Sequence, residues 1–258
     1  MKVGIIGAGS IAGTMAGTIR EMDCAQNYAV AARDYGRAAE FAQKYGFEKA
    51  YGSYEELVED AGVELVYIAT PHSHHYEHIK LCLNHGKHVL CEKSFTVNES
   101  QAREVLELAR EKNLLLTEAI WTRYMPMRKT LDDVLRSGVI GRPQMLTANL
   151  GYIISGKERI MRPELAGGAL LDVGIYTLNF ASMVFGDEVD TITGTVVMTE
   201  TGVDAQNSIT ITYKDGRMAV LCSSAMGLSD RRGIIYGDNG FIEVENINNC
   251  EGIRVYDC

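Results

Sequence analysis

The sequence begins with a short apolar run that leads into a glycine-rich turn and then a helical pattern, in the segment Lys2-Val3-Gly4-Ile5-Ile6-Gly7-Ala8-Gly9-Ser10-Ile11-Ala12. A strand, a G-x-G-x-x-A turn and a helix in this order are typical of a site for a dinucleotide pyrophosphate. Gly7 permits the tight turn, Gly9 lets the phosphates approach the backbone, and Ala12 lets the helix pack on the strand. The alternative is a structural glycine turn without a ligand.

The N–H groups at the start of this helix would face the phosphates, because a helix N-terminus carries unsatisfied donors and the positive end of the dipole. We therefore predict that the cofactor contacts the turn and the helix start at Gly7, Gly9, Ser10, Ile11 and Ala12.

The composition is that of a globular protein. The chain has 258 residues, of which 46% are hydrophobic and 23% charged, and its net charge is −9. This acidic balance argues against nucleic acid or an anionic membrane as a partner. Six cysteines are scattered without a C-x-x-C pair, which favours reduced thiols and a cytoplasmic location. No apolar run reaches about 18 residues, and glycines interrupt the apolar start, so we expect neither a membrane span nor a signal peptide.

Up to about residue 120, short apolar runs alternate with helical periods. This alternation predicts an α/β Rossmann domain, which is a doubly wound parallel sheet with helices on both faces, over residues 1–120. The candidate strands are Val3–Ile6, Tyr28–Ala32, Leu65–Ala69, His88–Cys91 and Leu114–Glu118. The candidate helices are Ile11–Glu21, Gly36–Tyr45, Tyr54–Asp60, His75–His85 and Glu99–Lys112.

After residue 120 the pattern changes to consecutive strands. They predict an α+β domain with an open, mainly antiparallel sheet over residues 121–258. The candidate helices are Pro126–Arg136 and Ala169–Val184. The candidate strands are Gln144–Tyr152, Thr191–Met198, Gln206–Tyr213, Arg217–Ser223, Gly233–Tyr236, Phe241–Val244 and Ile253–Tyr256.

The end of the second candidate strand bears on which dinucleotide binds. NAD sites usually place an acidic residue there to hold the ribose hydroxyls, whereas NADP sites use a nearby arginine. Here the strand ends in Ala31-Ala32-Arg33-Asp34, with alanine where the acid is expected. Arg33 can pair with the 2′-phosphate, so we predict NADP. The alternative is a surface Arg33, with Asp34 as the ribose ligand and NAD as the cofactor.

Two further segments follow candidate strands, whose carboxyl ends line the ligand crevice of such a sheet. In Thr70-Pro71-His72-Ser73-His74-His75 the histidines invite a metal interpretation, but no carboxylate or cysteine stands at ligand spacing. Packing beside the nicotinamide ribose is the favoured role for Thr70, Pro71, His72 and His75. In the second segment, Glu92 and Lys93 follow a strand, and Lys93 would enter the crevice and join proton transfer. The alternative is a surface lysine.

Asp172 and Tyr176 lie four residues apart in Gly168-Ala169-Leu170-Leu171-Asp172-Val173-Gly174-Ile175-Tyr176, and so would share one helix face. A carboxylate and a phenol there suit binding and deprotonating an alcohol, with Gly174 leaving room for a ligand. The alternative is a tyrosine that caps the core. The only tryptophan, Trp121, stands with Arg123 at the domain junction, where pockets often form; a buried structural tryptophan is the competing interpretation.

Together these segments resemble the glucose–fructose oxidoreductase/inositol dehydrogenase (Gfo/Idh/MocA) family, from residue 1 to about 245. The segments that carry the resemblance are Gly7–Ala12, Thr70-Pro71, Cys91-Glu92-Lys93, Glu118–Arg123 and Gly168–Tyr176. The resemblance implies that Lys93 belongs to an E-K-P motif beside nicotinamide and substrate. It implies that Asp172 and Tyr176 match a D-x-G-x-x-H/Y motif, in which the dihydrodiol and D-xylose dehydrogenase branch carries tyrosine. His75 matches the histidine of a T-P-N-x-x-H pattern.

Three departures from the family pattern affect the expectations. Ser94 replaces the usual proline after Lys93, which predicts a less constrained backbone there. Ala32 replaces a common serine that helps to hold the 2′-phosphate. Members usually extend beyond this chain's last residue, Cys258, by a late helix and a closing strand. We therefore expect a C-terminally shortened form whose sheet is partly open or is covered by a partner.

These observations predict an NADP-dependent oxidoreductase that transfers hydride between nicotinamide and a hydroxyl of a sugar or cyclic diol. Tyr176 would take the hydroxyl proton with help from the positive charge of Lys93. Asp172 would hold a second hydroxyl or orient Lys93. The residues expected to line the substrate pocket are Trp121, Arg123 and Tyr152.

No metal is expected, and a homodimer or larger oligomer would form through the C-terminal sheet. Two other functions remain open: a non-catalytic NAD(P)-sensing regulator and an inactive shortened paralogue. The intact set of Lys93, Asp172 and Tyr176 favours the enzyme, because a sensor needs no proton relay.

Overall fold

A computed structural model describes all 258 residues. The chain divides into two compact units, Met1–Ala119 and Ile120–Cys258. The predicted fold class is confirmed: one unit is built on a six-stranded parallel sheet and the other on a seven-stranded, mostly antiparallel sheet.

The first unit is doubly wound. Its strands are β1 (Lys2–Ile6), β2 (Gln26–Ala31), β3 (Lys49–Tyr51), β4 (Leu65–Ile68), β5 (His88–Cys91) and β6 (Leu116–Glu118). Its helices are α1 (Ser10–Arg20), α2 (Tyr35–Tyr45), α3 (Tyr54–Glu59), α4 (His72–Asn84) and α5 (Glu99–Glu111). The strand order is β3-β2-β1-β4-β5-β6, so the order reverses between β1 and β4. Ligands bind at such a switch point, beyond the carboxyl ends of the strands.

Strand β1 is buried on both faces, which explains its continuous apolar run. Ile5 packs in one hydrophobic cluster with residues of α1, such as Ala16. Ile6, which points to the opposite face, packs in a second cluster with Ile79 of α4. Helices therefore cover the sheet on both sides, as parallel sheets require. Strand β3 was not predicted, because three residues are too few to show an alternating pattern.

Asp60 anchors the connection from α3 to β4. Its side chain is 9% exposed and accepts hydrogen bonds from Lys49 Nζ at 2.7 Å, Tyr51 Oη at 2.8 Å and the Gly62 N–H at 2.8 Å. Burial by itself would raise the pKa of Asp60, but the bonds from Lys49, Gly62 and Tyr51 outweigh it and hold the pKa well below its usual value.

The depressed pKa of Asp60 predicts a pH-dependent contribution to stability. A carboxyl whose folded pKa lies below its unfolded pKa of 3.8 stabilises the fold fully above that value, and the stabilisation is lost as the pH falls. Asp60→Asn should therefore lower the free energy of unfolding by about 1–3 kcal/mol at neutral pH. The difference from wild type should shrink below about pH 4. Denaturant unfolding at several pH values measures this.

The matched control for Asp60→Asn is Asp34→Asn. Asp34 caps α2, and asparagine caps a helix about as well as aspartate. This variant should leave the free energy of unfolding within about 0.5 kcal/mol of wild type. A constant difference between wild type and Asp60→Asn down to pH 3 would contradict the assignment.

The second unit places one long helix on a mixed sheet. Its α-helices are α6 (Pro126–Arg136) and α7 (Ile175–Phe185). Its strands are β7 (Pro143–Gly151), β8 (Val189–Met198), β9 (Asp204–Tyr213), β10 (Met218–Ser224), β11 (Gly233–Gly237), β12 (Gly240–Val244) and β13 (Ile253–Asp257). The sheet order is β13-β12-β11-β7-β10-β9-β8. All pairs are antiparallel except β7 with β10, because the crossover through α7 lets the chain return in the same direction.

Helix α7 forms the core of this unit. Phe180 is buried against the sheet, and a Cβ at Gly233 would lie 2.6 Å from its ring, so the glycine permits the close approach. Within Pro163–Phe185 an 18-residue window has a mean hydropathy of 1.4, so by length and composition alone this stretch could cross a membrane, which was not expected from the sequence. Because 61% of its apolar window is buried inside the protein, it behaves as a core helix.

Candidate active site

The turn after β1 requires glycine at its first position. Gly7 has a φ of +100°, and a Cβ there would lie 2.9 Å from the carbonyl oxygen of Ala69. The Gly7 N–H donates to the carbonyl of Ala31 at 2.9 Å. The turn is therefore held between the ends of β2 and β4, at the place where the strand order reverses.

Gly9 differs from Gly7 because the protein itself does not require a glycine there. Its φ of −97° and ψ of −174° are extended values that any residue adopts, and a Cβ would meet no atom within 4 Å. The space that a side chain would fill lies open beside the first turn of α1. A cofactor pyrophosphate fits this cradle, because a phosphate can approach the bare backbone closely.

Two helices of this unit start without a side-chain cap, and both follow strands at the switch point. Helix α1 begins after Gly9 and α4 begins after Pro71, neither with a capping side chain. The other three helices are capped by Asp34, Ser53 and Asn98. The donors at the start of α1, on Ser10, Ile11 and Ala12, are therefore left for an anion.

The residues after β2 fit a 2′-phosphate better than a free ribose. Arg33 is exposed directly after the strand. Asp34 Oδ1 accepts the Arg37 N–H at 2.7 Å, so this carboxylate already serves as a helix cap. The guanidinium of Arg37 donates to the carbonyl of Ala8 at 3.0 Å, which places a second arginine against the glycine-rich turn. The sequence interpretation missed Arg37, although its position four residues after Arg33 is a usable signal.

His75 links the loops that follow β4 and β5. It is fully buried, with Nε2 2.8 Å from the carbonyl oxygen of Thr70 and Nδ1 2.7 Å from that of Ser94. Burial lowers the pKa of His75, and the two carbonyl contacts oppose this effect. His75 therefore ties together the backbones of the two loops that follow β4 and β5. A direct contact between His75 and the cofactor stays a prediction.

The other histidines of this segment lie close to Thr70, to His75 and to each other. His78 Nδ1 lies 3.0 Å from Thr70 Oγ1, and burial lowers the pKa of His78 to about 4. His72 is buried, with its ring centroid 5.8 Å from that of His75. No group of three or more histidine, cysteine, aspartate or glutamate side chains is arranged to hold a metal.

Glu92 and Lys93 stand at the carboxyl end of β5. The buried Tyr67 hydroxyl donates to the Glu92 carboxylate, which also accepts the Lys93 N–H at 3.3 Å. The Glu92 carboxylate thus holds the backbone at Lys93. Ser94 is buried and its carbonyl is held by His75, and the Lys93–Ser94 peptide is cis. Burial and the contact with His75 thus restrain the backbone at Ser94, while the effect of serine in place of proline stays a prediction.

In the second unit, Asp172 and Tyr176 are buried at the junction of a π-helix and α7. The π-helix covers Leu170–Gly174, where the sequence predicted a continuous α-helix. Its wider turn changes the simple four-residue relation between the two side chains. A Cβ at Gly174 would lie 2.9 Å from Ser223 Oγ, so this glycine serves the packing of the π-helix on β10 instead of making room for a ligand.

Asp172 is paired with an arginine that the sequence interpretation missed. Arg159 Nη1 donates to Asp172 Oδ1 at 2.8 Å. A double glycine makes this approach possible, because a Cβ at Gly167 would lie 2.4 Å from the carbonyl oxygen of Ile160. The N–H of Gly168 donates to the same carbonyl at 2.8 Å. No spacing rule connects residues 159 and 172, so the pair has no signal in the sequence.

Two of the predicted pocket residues, Trp121 and Tyr152, are joined through one asparagine. The Trp121 ring lies 5.8 Å from that of Tyr176, and its Nε1 donates to the carbonyl of Asn248 at 2.7 Å. Asn248 Nδ2 donates to the Tyr152 hydroxyl at 3.1 Å. Trp121 is 42% exposed, so it is not the buried structural tryptophan of the alternative interpretation. Asn248, which the sequence did not reveal, thus links the two aromatic side chains.

Arg123 donates hydrogen bonds to two side chains of α7. Its Nε donates to Asn179 Oδ1 at 2.6 Å and its Nη2 donates to Ser182 Oγ at 2.8 Å. It thereby fastens the segment after residue 120 to α7. A direct contact between Arg123 and a substrate stays a prediction.

A glycine-rich turn and an uncapped helix start on a doubly wound parallel sheet are the features of a nicotinamide-dependent oxidoreductase. The chain belongs to the Gfo/Idh/MocA oxidoreductase family. Residues 1–120 match the oxidoreductase family with an NAD-binding Rossmann fold, and residues 129–243 match the GFO/IDH/MocA C-terminal domain. The prediction of an NAD(P)-dependent enzyme is therefore confirmed.

Individual relatives agree with the family assignment. A mouse (Mus musculus) trans-1,2-dihydrobenzene-1,2-diol dehydrogenase is 39% identical over 251 residues, which cover 96% of this chain and 75% of the mouse protein. An NAD-binding oxidoreductase from Klebsiella pneumoniae superposes with a TM-score of 0.89 at 26% identity, covering 100% of this chain and 76% of the other. A 3-ketoreductase from Actinomadura kijaniata, solved with NADP and TDP-benzene, has a TM-score of 0.91 at 25% identity, with 100% and 85% covered.

Proposed function

We propose that this protein oxidises or reduces a secondary hydroxyl of a sugar or cyclic diol with NADP. The observation that carries the proposal is the open cradle beside Gly9, which the protein leaves unfilled at the start of an uncapped helix. The substrate class is carried over from the relatives named dihydrodiol dehydrogenase and 3-ketoreductase. Tyr176, with its neighbours Asp172 and Trp121, supplies the polar and aromatic groups that such a substrate needs.

The residues that would hold the cofactor are Gly7, Gly9 and the first-turn N–H groups of α1 at the pyrophosphate, with Arg33 and Arg37 at the 2′-phosphate. When bound, the nicotinamide supplies the hydride acceptor or donor. Glu92, through the backbone of Lys93, and His75, through the carbonyl of Ser94, would position the loop after β5.

In the oxidative direction, Tyr176 would accept the proton of the reacting hydroxyl while the C–H bond of the carbon that bears this hydroxyl is broken. A tyrosine accepts a proton only as its phenolate, so this role requires the phenolate to be stabilised by a cation, and we assign Lys93 to that task. Asp172 would accept a hydrogen bond from a second hydroxyl and so orient the carbon that reacts. In the reductive direction, Tyr176 returns the proton to the carbonyl oxygen.

The test is a direct assay of turnover. Purified protein is incubated with NADP or NAD and a panel of sugars and trans-dihydrodiols, and the reduced nicotinamide is followed by its absorbance. The proposal predicts turnover with at least one member of the panel and a preference for NADP. Tight NADP binding without turnover would favour the non-catalytic sensor, and weak binding with aggregation would favour the inactive paralogue.

The preference for NADP predicts a selective loss in Arg33→Ala. A charge-assisted hydrogen bond to phosphate contributes about 1.5–3 kcal/mol, so the affinity for NADP should fall roughly 10- to 100-fold. The affinity for NAD, which has no 2′-phosphate, should change by less than about threefold. Cofactor titration by fluorescence measures both constants.

Arg110→Ala is the matched control, because this arginine is exposed on α5 and has no place in the proposed cradle. It should leave both affinities unchanged. If Arg33→Ala weakened NAD and NADP equally, Asp34 and the ribose would become the better explanation of this end of the site.

We also propose a cytoplasmic homodimer that pairs through the uncovered face of the second sheet. On that face Thr195, Ser208 and Cys222 stand side by side on β8, β9 and β10, and all three are exposed. All six cysteines are free thiols, which suits a reducing compartment. Sedimentation velocity of wild type against Cys222→Arg tests the pairing, which would be wrong if both were monomers.

A further inference from the structure

The two side chains of the ion pair between Arg159 and Asp172 differ in their exposure to solvent. The Asp172 side chain is 7% exposed, whereas that of Arg159 is 41% exposed. The carboxylate is therefore withdrawn from water, while the Arg159 side chain remains partly accessible. A buried carboxylate costs free energy unless partners compensate it, and Arg159 is one such partner of Asp172.

The local backbone is shaped to deliver this arginine. Ile160, the next residue, is fully buried and fixes the segment in the core. The carbonyl of Ile160 accepts the Gly168 N–H at 2.8 Å. A Cβ at Gly168 would lie 2.0 Å from Asp204 Oδ1, and Gly168 has a φ of +105°. Two glycines, a buried anchor and a backbone hydrogen bond thus hold residue 159 beside the π-helix that precedes Tyr176.

The guanidinium retains donors for a ligand. Arginine carries five N–H donors in a planar fork, and the bond to Asp172 Oδ1 uses one of them. The neighbouring carboxylate is an acceptor. Together the two side chains offer one acceptor and several donors, which is the pattern that a hydroxyl group, both donor and acceptor, can satisfy.

We propose that Arg159 and Asp172 form a recognition pair for the hydroxyl next to the one that reacts. Asp172 accepts the hydrogen of that hydroxyl, and Arg159 donates to its oxygen. Arg159 is then a specificity-determining residue that selects vicinal diols and polyols over simple alcohols. The inference rests on the proposed function, because it assumes that Tyr176 acts on an alcohol of the same substrate.

The test compares a diol with a matched simple alcohol. Trans-cyclohexane-1,2-diol and cyclohexanol are assayed with NADP in wild type, Arg159→Met and Arg159→Lys. In Arg159→Met, kcat/KM for the diol should fall about 10- to 100-fold. For cyclohexanol kcat/KM should change by less than about threefold, and Arg159→Lys should recover part of the loss on the diol.

A second variant separates recognition from folding. Arg159→Met alone removes one partner of a buried carboxylate and should lower Tm. The double variant Asp172→Asn/Arg159→Met removes that charge and should restore Tm, but not the preference for the diol. NADP affinity, measured by titration, should stay at the wild-type value throughout.

The outcomes are distinguishable. Equal losses on both alcohols in Arg159→Met would make the pair structural and overturn the inference while the proposed function stands. A wild type without any preference for the diol would overturn it as well. A wild type that binds NADP and oxidises neither these alcohols nor any sugar or trans-dihydrodiol of the panel contradicts the proposed function, and this inference with it. Turnover of the panel without turnover of trans-cyclohexane-1,2-diol would overturn this inference alone.

Discussion

Tyr176→Phe is expected to lower kcat by roughly 10²- to 10⁴-fold, the range for losing a positioned acid–base group. The substitution removes one oxygen from a buried side chain and keeps the ring that lies 5.8 Å from Trp121. The fold and the cofactor site should therefore persist, with NADP affinity unchanged. Steady-state kinetics with the best substrate of the panel, together with cofactor titration, measure both quantities.

Tyr213→Phe is the matched control. Tyr213 is an equally buried tyrosine of the same unit, and it packs edge-on against Phe185 at 5.2 Å. Loss of the Tyr213 hydroxyl should leave kcat within about twofold of the wild-type value, because this hydroxyl has no role in the proposed site. Lys93→Met should reduce kcat as Tyr176→Phe does, and the double variant should be little worse than either, since the two groups would act as a unit. Near-native turnover in Tyr176→Phe would refute the proton relay.

Gly9→Val is expected to reduce the affinity for both NADP and NAD by about 100-fold or more, equivalent to about 2.7 kcal/mol. Its branched side chain would occupy the space that the pyrophosphate needs. The loss of stability should stay within about 1 kcal/mol, because valine is a poorer helix N-cap than glycine but the backbone angles of Gly9 suit any residue and its Cβ meets no protein atom within 4 Å. Calorimetric titration and thermal unfolding of the free protein separate the two effects.

Gly17→Val provides the control for Gly9→Val. Gly17 lies in α1, and a Cβ there also meets nothing within 4 Å. Valine has a better helix propensity than glycine, so this variant should be at least as stable as wild type and should bind cofactor normally. If Gly9→Val bound NADP as tightly as Gly17→Val, the cradle would not be a phosphate site.

Most of the fold could be predicted because its elements follow strong local rules. The strand β5 was predicted at its observed bounds, His88–Cys91, because a short apolar run between turn residues has few alternatives. Helix α6 was also exact in its bounds, since Pro126 starts it and Gly138 follows its end. The π-helix before α7 was not predicted, because the apolar period of a sequence does not reveal a local shift in hydrogen-bond pattern.

Some residues of the candidate site could be predicted from the sequence and others could not. Motif residues such as Gly7 and Lys93 could be selected because they follow strands, and the topology brings strand ends together. Arg159 and Asn248 could not, because their partners Asp172 and Trp121 are distant in the sequence and no periodicity links them. The complete burial of His75 between two loops likewise depends on tertiary structure and has no signal in the sequence.

The solitary tryptophan gives this enzyme an optical consequence. The chain has one indole, and it is hydrogen-bonded to the loop at Asn248 while its ring neighbours that of Tyr176. Under excitation selective for tryptophan, the emission of the whole protein therefore comes from one position beside Tyr176, so a ligand that binds near that residue can be followed without labels, coupled assays or even turnover.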